Sequence, residues 1–452
     1  LKDINKANRE HARRLLQCLT VAIRPLRVEE LAEVLAVDFD AALRGGIPKL
    51  NRDWRWSNQH QAVLSTCSSL ITIVDDGGSR VVQFSHVSVK EFLTSDRLAC
   101  SSGDISRYHI HLSPAHTILA QACLGVLLCL DEHVTKDNAW GIPLAEYAAR
   151  FWVEHAQFED VSSRIRDVIE YFFDGDRPHW AVWLRVENID RRWDVFLPQV
   201  PMPDGVPLYY AALCGFYDLA EHLVVKNPEH VNSTGGRLEA PLVAALRGKH
   251  YKVAELLLEH GANIDVRGVW GFTPLHFASR FDHRWPNEGH VDLVQWLLNH
   301  GADVNARDIK NWVPLLLAVG NGYFDICQLL QVHNADLGVR TIDGETLLHR
   351  AASPIHDKHR NQLKIMQLLL DQGADVNARD HDGRTPLHYS SCSPKERGVL
   401  GHITGTVEGS RLLLKHGADI QAKDGGGKTP LQLALENERH EMAEFLLGLG
   451  AR

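Results

Sequence analysis

No CxxC pair occurs in this sequence: its eight cysteines, Cys18, Cys67, Cys100, Cys123, Cys129, Cys214, Cys327 and Cys392, are scattered singly. That excludes a zinc ribbon and a dithiol redox motif, and it fits a reduced, intracellular setting. Long apolar runs are missing too. The longest, Leu119 to Leu130, has 12 residues and includes Gln121, whereas a membrane span needs about 20. Positive charge is not in excess, since Lys and Arg number 48 against 57 Asp and Glu, a net −9. Residues 1–100 carry 14 basic and 12 acidic groups, 101–200 carry 9 and 15, and 201–452 carry 25 and 30, so no stretch forms a basic tail. Nucleic acid binding therefore has no electrostatic support. No strand followed by GxxxxGK[ST] and a helix stands near the N-terminus, so a nucleotide-hydrolysing core is not written there. What is present, 452 residues at 44% hydrophobic and 23% charged, supports a folded chain of several domains or an elongated array. The chain opens at Leu1 directly in a charged helical pattern, and the expectation is a piece of a longer protein.

A repeat fills the second half. Thr273-Pro274-Leu275-His276-Phe277-Ala278 recurs as Thr385-Pro386-Leu387-His388-Tyr389-Ser390, with weaker copies at Pro207, Pro241, Pro314, Leu347 and Pro430. Successive anchors lie 34, 33, 40, 33, 39 and 44 residues apart, a period of 33 with insertions in three units. A second string follows in four of the units, as in LLNHGADVNARD at Leu297 to Asp308 and LLDQGADVNARD at Leu369 to Asp380. Period and strings over Asp204 to Arg452 resemble the ankyrin repeat. Thr-Pro opens a first short helix, with Pro tolerated in the first turn; a Leu-rich second helix returns and Gly in a left-handed cap ends it. The insertions around Arg280 to Asn287, Pro354 to Gln362 and Pro394 to Val407 fall between the two helices of their units.

Ahead of the repeats, the apolar spacing predicts helices over Ala7–Ile23, Val28–Val37 and Gln59–Leu70, then a hairpin over Ile71–His86 and a further amphipathic piece over Val87–Leu98. Three helices followed by a hairpin is the winged-helix order. Residues from about 105 to 200 read as helical and rich in Trp (Trp140, Trp152, Trp180, Trp183, Trp193). Pro143 to Ala156 sets Leu144, Tyr147, Ala148, Phe151, Trp152 and His155 on one face, which reads as core. The expected architecture is mainly α, with an N-terminal winged-helix-like domain (1–100), a helical connector (101–200) and a C-terminal ankyrin-repeat solenoid of about seven units (201–452).

The strings FSHVSVKEFLTS (Phe84 to Ser95), YHIHLSPAHTILAQACLGVLL (Tyr108 to Leu128) and PLAEYAARFWVEHA (Pro143 to Ala156), followed by ankyrin units, resemble the region after the NACHT domain in fungal NACHT–ankyrin proteins, NLR-like signalling ATPases of the STAND class. The resemblance implies a winged-helix regulatory segment, a helical spacer and a ligand-sensing array. The NTPase domain itself is absent from the sequence. His86 holds a place similar to the nucleotide-sensing His of such winged-helix domains, a role that needs the missing domain; the alternative is a His that ends a strand and caps the next helix.

Other chemistry reads as structural. Ala422 to Thr429 (AKDGGGKT) meets a relaxed phosphate-loop pattern, yet Thr429 is also the Thr of the seventh repeat. The histidines of the TPLH blocks suit hydrogen bonds between neighbouring units, and those before Gly suit helix C-termini. His109 and His111 lack a third metal ligand, and the third helix (Asn58 to Leu70) carries no Lys or Arg for DNA. No cofactor, metal or catalytic constellation emerges. The expected function is non-catalytic and cytoplasmic: protein binding and ligand sensing, in a longer protein with an upstream NACHT domain. The alternative is a stand-alone ankyrin scaffold or adaptor. Residues at finger tips and first helices form the expected binding surface: Val269, Trp270, Phe272 and Phe277 in the third repeat, Ile309, Lys310, Trp312 and Leu317 in the fourth. Tyr210, Arg350 and Tyr389 take the helix positions of the first, fifth and sixth.

Overall fold

The computed structural model describes residues 4, 8–39, 46–56, 58–67, 70–101, 105–131, 141–174, 179–187, 205–235, 240–268, 270–280, 290–353, 361–392 and 407–452. The chain is mostly helical, and packing divides it into two compact units, Leu1–Gly261 and Ala262–Arg452. The division falls inside the repeats. The bulk of all three repeat insertions lies outside the described residues.

The first unit opens with a winged helix. Helix α1 (Arg9–Val21) buries Ala12, Leu15, Leu16 and Cys18 along one face and stops short of Pro25. Strand β1 (Leu26–Arg27), α2 (Val28–Val34), β2 (Val37–Asp38), β3 (Lys49–Leu50), α3 (Gln59–Cys67), β4 (Ile71–Asp76) and β5 (Ser79–Phe84) follow. The sheet runs β1-β5-β4, antiparallel throughout, with Leu26 opposite Val82 and Ile73 opposite Val82 on its other side. Gly77 and Gly78 turn the hairpin at φ of 55° and 93°, the positive values that a two-residue turn matched to strand twist requires. The β2–β3 pair is a separate ribbon. The piece expected over Val87–Leu98 is two helices, α4 (Val87–Leu93) and α5 (Asp96–Ala99). Between them the Thr94 and Ser95 hydroxyls donate to the Lys90 and Phe92 carbonyls (3.1 and 2.8 Å) and satisfy the end of α4. Two buried glutamates of α2 are each matched: Glu30 accepts from both guanidinium arms of Arg24 (2.8 and 2.6 Å), and Glu33 pairs with Arg55. Burying a carboxylate without such a partner costs several kcal/mol.

The connector consists of α6 (Leu112–Leu127), α7 (Ala145–Ala156), α8 (Val161–Arg164), α9 (Arg166–Phe172) and α10 (His179–Val186). Most of the stripe read as core is core: Leu144, Tyr147, Ala148, Trp152 and His155 are fully buried, whereas Phe151 is only partly so. A hydrogen-bonded chain runs through it. Ile23 N–H donates to the Tyr147 hydroxyl (3.1 Å), the hydroxyl meets His155 Nε2 (2.9 Å), and His155 Nδ1 meets His116 Nδ1 (2.9 Å). With Tyr147 donating onward, His155 carries its proton on Nδ1 and His116 accepts, so both rings are neutral. Burial pushes both imidazoles down, to about 3 for His155 and about 4 for His116.

Trp152 centres a second cluster, with Trp183 at 5.3 Å, Phe172 at 5.4 Å and Phe216 at 5.4 Å between ring centroids. Phe216 belongs to the first repeat, between α11 (Pro207–Cys214) and α12 (Tyr217–Lys226). Gln157 Nε2 donates to the Cys214 carbonyl (2.7 Å) and Ser163 Oγ to Asp218 (2.6 Å). The connector thus covers the open end of the first repeat, as a cap must in a stacked array. The second repeat, α13 (Pro241–Arg247) and α14 (Tyr251–Glu259), completes this unit.

The second unit stacks the pairs α15 (Pro274–Ser279) and α16 (His290–Asn299), α17 (Pro314–Gly320) and α18 (Phe324–Val332), α19 (Leu347–Ala352) and α20 (Gln362–Asp371), α21 (Pro386–Ser391) and α22 (Val407–Lys415), and α23 (Pro430–Glu436) and α24 (His440–Gly448). Thr273, Thr346 and Thr385 cap their helices, with His in the place usually held by Glu in a capping box. In each, the His Nδ1 accepts the Thr N–H (3.1 Å) and Nε2–H donates to a carbonyl of the next unit: His276 to Trp312 (2.9 Å), His349 to Arg384 (3.0 Å), His388 to Lys428 (3.1 Å). Arginines do the same on the fingers, Arg267 reaching the Arg307 carbonyl (2.5 Å), Arg340 that of Arg379 (2.9 Å) and Arg379 that of Lys423 (2.7 Å). The fourth repeat reads Val313-Pro314-Leu315-Leu316 and has no side-chain cap. Among the described residues no histidine or arginine bond of either kind passes from it to the fifth.

Candidate partner-binding groove

The fingers of the third and fourth repeats enclose a groove of about 380 Å³ lined by Trp270, Phe272, Arg280, Asp308, Ile309, Lys310, Trp312 and Leu317. Its shape follows from the local sequence. Gly271 turns the third finger at φ 72°, and a Cβ there would stand 3.2 Å from the Ile309 nitrogen, so glycine lets the fingers close. Ile309 N–H then donates to the Trp270 carbonyl (3.3 Å). Asp308 folds the fourth finger, its Oδ1 accepting the N–H of Lys310 (2.8 Å) and of Trp312 (2.7 Å). With its carbonyl held by His276, the Trp312 backbone is fixed on both sides while its ring stays half-buried. Trp270 is 62% exposed and Ile309 61%.

Of the residues expected here, Trp270, Phe272, Ile309, Lys310, Trp312 and Leu317 come together, Leu317 as a buried floor. Val269 lies outside the described residues. Phe277 is half-buried and meets Phe272 edge to face (5.6 Å), outside the groove lining. Arg350 is not a surface contact: it is buried, its guanidinium 4.6 Å from the Trp312 ring centroid and 3.7 Å from Glu345. Tyr389 does not reach the groove. It is buried, with its hydroxyl 2.7 Å from Asp380 and 2.9 Å from Glu345, and burial with those carboxylates pushes its phenol well above the usual range. Tyr210 is buried beside Trp180. These three share a helix register with Ala244, Leu317 and Leu433, which are buried too, and in that register Phe277 alone is half-buried.

Arg280 and Asp308 are groove residues that the sequence reading missed. The signal for Asp308 was the recurring basic residue and Asp of the fingers: Asp380 and Asp424 accept finger N–H groups in the same way, from Arg384 (2.8 Å) and Lys428 (2.8 Å).

His86 is exposed and caps α4, its Nδ1 accepting the Ser88 N–H (3.1 Å). In the phosphate-loop-like string, Thr429 caps α23 with Gln432 and Lys428 Nζ binds Glu436 (2.6 Å), so both groups are committed to the repeat. His109 and His111 contact each other edge to face. Among the described residues no group of three or more His, Cys, Asp or Glu could hold a metal ion, and no helix is long and apolar enough to cross a membrane.

Fold and motifs together define a winged-helix domain followed by ankyrin repeats. Residues 3–103 match the family described as GPI inositol-deacylase, winged helix domain. Residues 208–308 and 315–424 match one ankyrin-repeat family, and 286–331 and 407–447 match a second. Such repeats indicate a role in protein interaction. Among relatives, the azaphilone pigments biosynthesis cluster protein L of Monascus ruber is 30% identical over 274 residues, covering 56% of this chain and 55% of its own length. A putative ankyrin repeat protein of Rickettsia felis is 36% identical over 101 residues, covering 22% and 41%. Alpha-latrocrustotoxin-Lt1a of Latrodectus tredecimguttatus is 32% identical over 72 residues, covering 16% and 5%. The chain spans about half or less of the length of these relatives.

Proposed function

We propose that this chain is the non-catalytic, ligand-sensing part of an NLR-like signalling protein of the cytoplasm, binding a protein partner in the groove of the third and fourth repeats. The observation that carries the reading is the pair of large apolar side chains, Trp270 and Ile309, left mostly exposed beside an apolar floor on a rigid backbone. A large exposed aromatic costs solubility unless a partner covers it, and Trp is among the side chains most often found as an energetic anchor. The winged helix and connector then link the array to an effector. His86 is the residue through which an upstream nucleotide-binding domain would be sensed.

Two measurements test this. Trp270→Ala should leave the unfolding midpoint within about 0.5 kcal/mol of the parent while abolishing capture of the proteins that the unaltered chain retains from source-cell extract. Unchanged capture would remove the groove from the account. Sequencing the transcript upstream of the Leu1 codon should show a NACHT domain, whereas an initiator Met immediately ahead would replace the signalling reading by that of an adaptor.

A further inference from the structure

The charges around the groove identify the kind of segment it accepts, an inference that rests on the binding role just proposed. Two cations stand at its rim: Lys310 and Arg280 are both exposed, and neither makes an ion pair among the described residues. Two of the three lining rings already carry positive charge, with the Arg280 guanidinium 5.7 Å from the Phe272 centroid and that of Arg350 4.6 Å from Trp312. A cationic ligand seeking those faces would have to displace them. Among the described residues the one lining carboxylate, Asp308, is bound by two backbone N–H groups and folds the finger that forms the groove. Among the described lining residues its single charge faces two exposed cations, on a chain whose total is −9. Within this rim the surface is apolar: Trp270, Phe272, Ile309, Trp312 and Leu317. A volume of about 380 Å³ lies at the small end of ligand sites and suits one or two side chains, not a whole domain.

We propose that the groove takes an acidic peptide segment in which one large apolar side chain enters against Trp270 and Trp312, and flanking carboxylates meet Lys310 and Arg280. Apolar burial supplies most of the affinity, and the two ion pairs set the sign of the partner and its rate of capture. Because Lys310 and Arg280 are exposed, the selectivity weakens as salt is raised.

The test uses the full chain as bait and a phage library of random peptides of about twelve residues, long enough to carry one anchor and its flanks. Enriched sequences should pair Trp, Phe or Leu with nearby Asp or Glu. A synthetic peptide of that type should lose roughly tenfold or more in affinity with Trp270→Ala and with Lys310→Glu, a factor well above experimental scatter. Lys310→Ala, which removes charge without adding any, should lose less, and all three variants should keep the parent unfolding midpoint. Peptides that depend on Trp270 but are neutral or basic would overturn the acidic assignment and leave the groove as a binding site. A library giving no Trp270-dependent peptide would overturn both.

Discussion

Acidifying the protein from about pH 7.5 to about pH 5 will lower its unfolding midpoint by roughly 10 °C or more, through buried histidines that are neutral only in the folded state. His155, His116 and His250 in the first unit, and His276, His349 and His388 in the second, are all pushed below the ordinary value of 6.5 by burial. Depressed folded values fix the sign. The stabilisation is complete above 6.5, and it is lost as pH falls below 6.5, where the unfolded chain takes up protons that the folded one refuses. For His116 the loss continues to about 4, and for His155 to about 3. The hydrogen bonds give the chemical reason. The Nδ1 of His276, His349 and His388 accepts a Thr N–H, so a proton placed there faces another proton and the cap is broken. Fully buried His155 alone should account for about 2 kcal/mol by pH 5, because each full pH step below its unfolded value costs about 1.4 kcal/mol. Thermal unfolding followed by circular dichroism across this range checks the expectation, and a flat midpoint would show that the rings accept protons without cost.

Trp152→Ala will be the most damaging single substitution in the first unit, at about 3–5 kcal/mol. The side chain is fully buried, and its removal leaves a cavity bounded by Phe172, Phe173, Trp183 and Phe216. Those rings are themselves tied in place, Trp183 Nε1 donating to the Ala149 carbonyl at 2.8 Å, so the walls have little freedom to collapse. Phe216 is the ring through which the connector covers the first repeat, and the loss therefore reaches the repeat as well. Trp152→Phe keeps an aromatic in the cluster and should cost less than half as much. Urea midpoints of the two variants decide it. A Trp152→Ala cost under about 1 kcal/mol would mean that the cluster repacks around the gap.

Much of this was legible in the sequence because repeats write the same physics several times. Thr-Pro at the head of a helix and His-Gly at the end of the next recur often enough to set the period, and the inter-unit histidine bonds follow from the recurring TPLH. The winged helix was legible from its order of elements, but strand β1 was not. Leu26 and Arg27 are too few to show alternation, and they are a strand only because Val81 and Val82 lie opposite. The aromatic stripe of α7 could be recognised as core from its spacing. Its partner could not, since Phe216 is distant in sequence and single. At the groove, exposure of the finger tips was readable, whereas Arg350 and Tyr389 occupy helix positions whose burial is decided by what the adjoining repeat brings, the Trp312 ring for Arg350 and Glu345 for the Tyr389 hydroxyl. Finger-folding Asp308 was visible as a repeated letter without a visible job.

The uncapped fourth repeat has a mechanical meaning. The second unit resembles a stack of plates riveted along the finger edge, and among the described residues the joint between the fourth and fifth plates lacks both the histidine and the arginine rivets that the other joints carry. It is held by Asn305, whose side chain accepts the Asp336 N–H (2.8 Å) and donates to the Asn334 carbonyl (3.3 Å), by the Ile342 N–H on the Lys310 carbonyl (3.2 Å), by Gln362 on the Val319 carbonyl (3.3 Å), by Gln331 against Gln372 (3.1 Å), and by Arg350 resting on Trp312. This joint therefore differs from its neighbours in which side chains close it, asparagine and glutamine in place of histidine and finger arginine, and Trp312, a wall of the groove, is one side of it. A segment seated against Trp312 would meet the fifth plate through Arg350, 4.6 Å from the ring, before it touched any other joint.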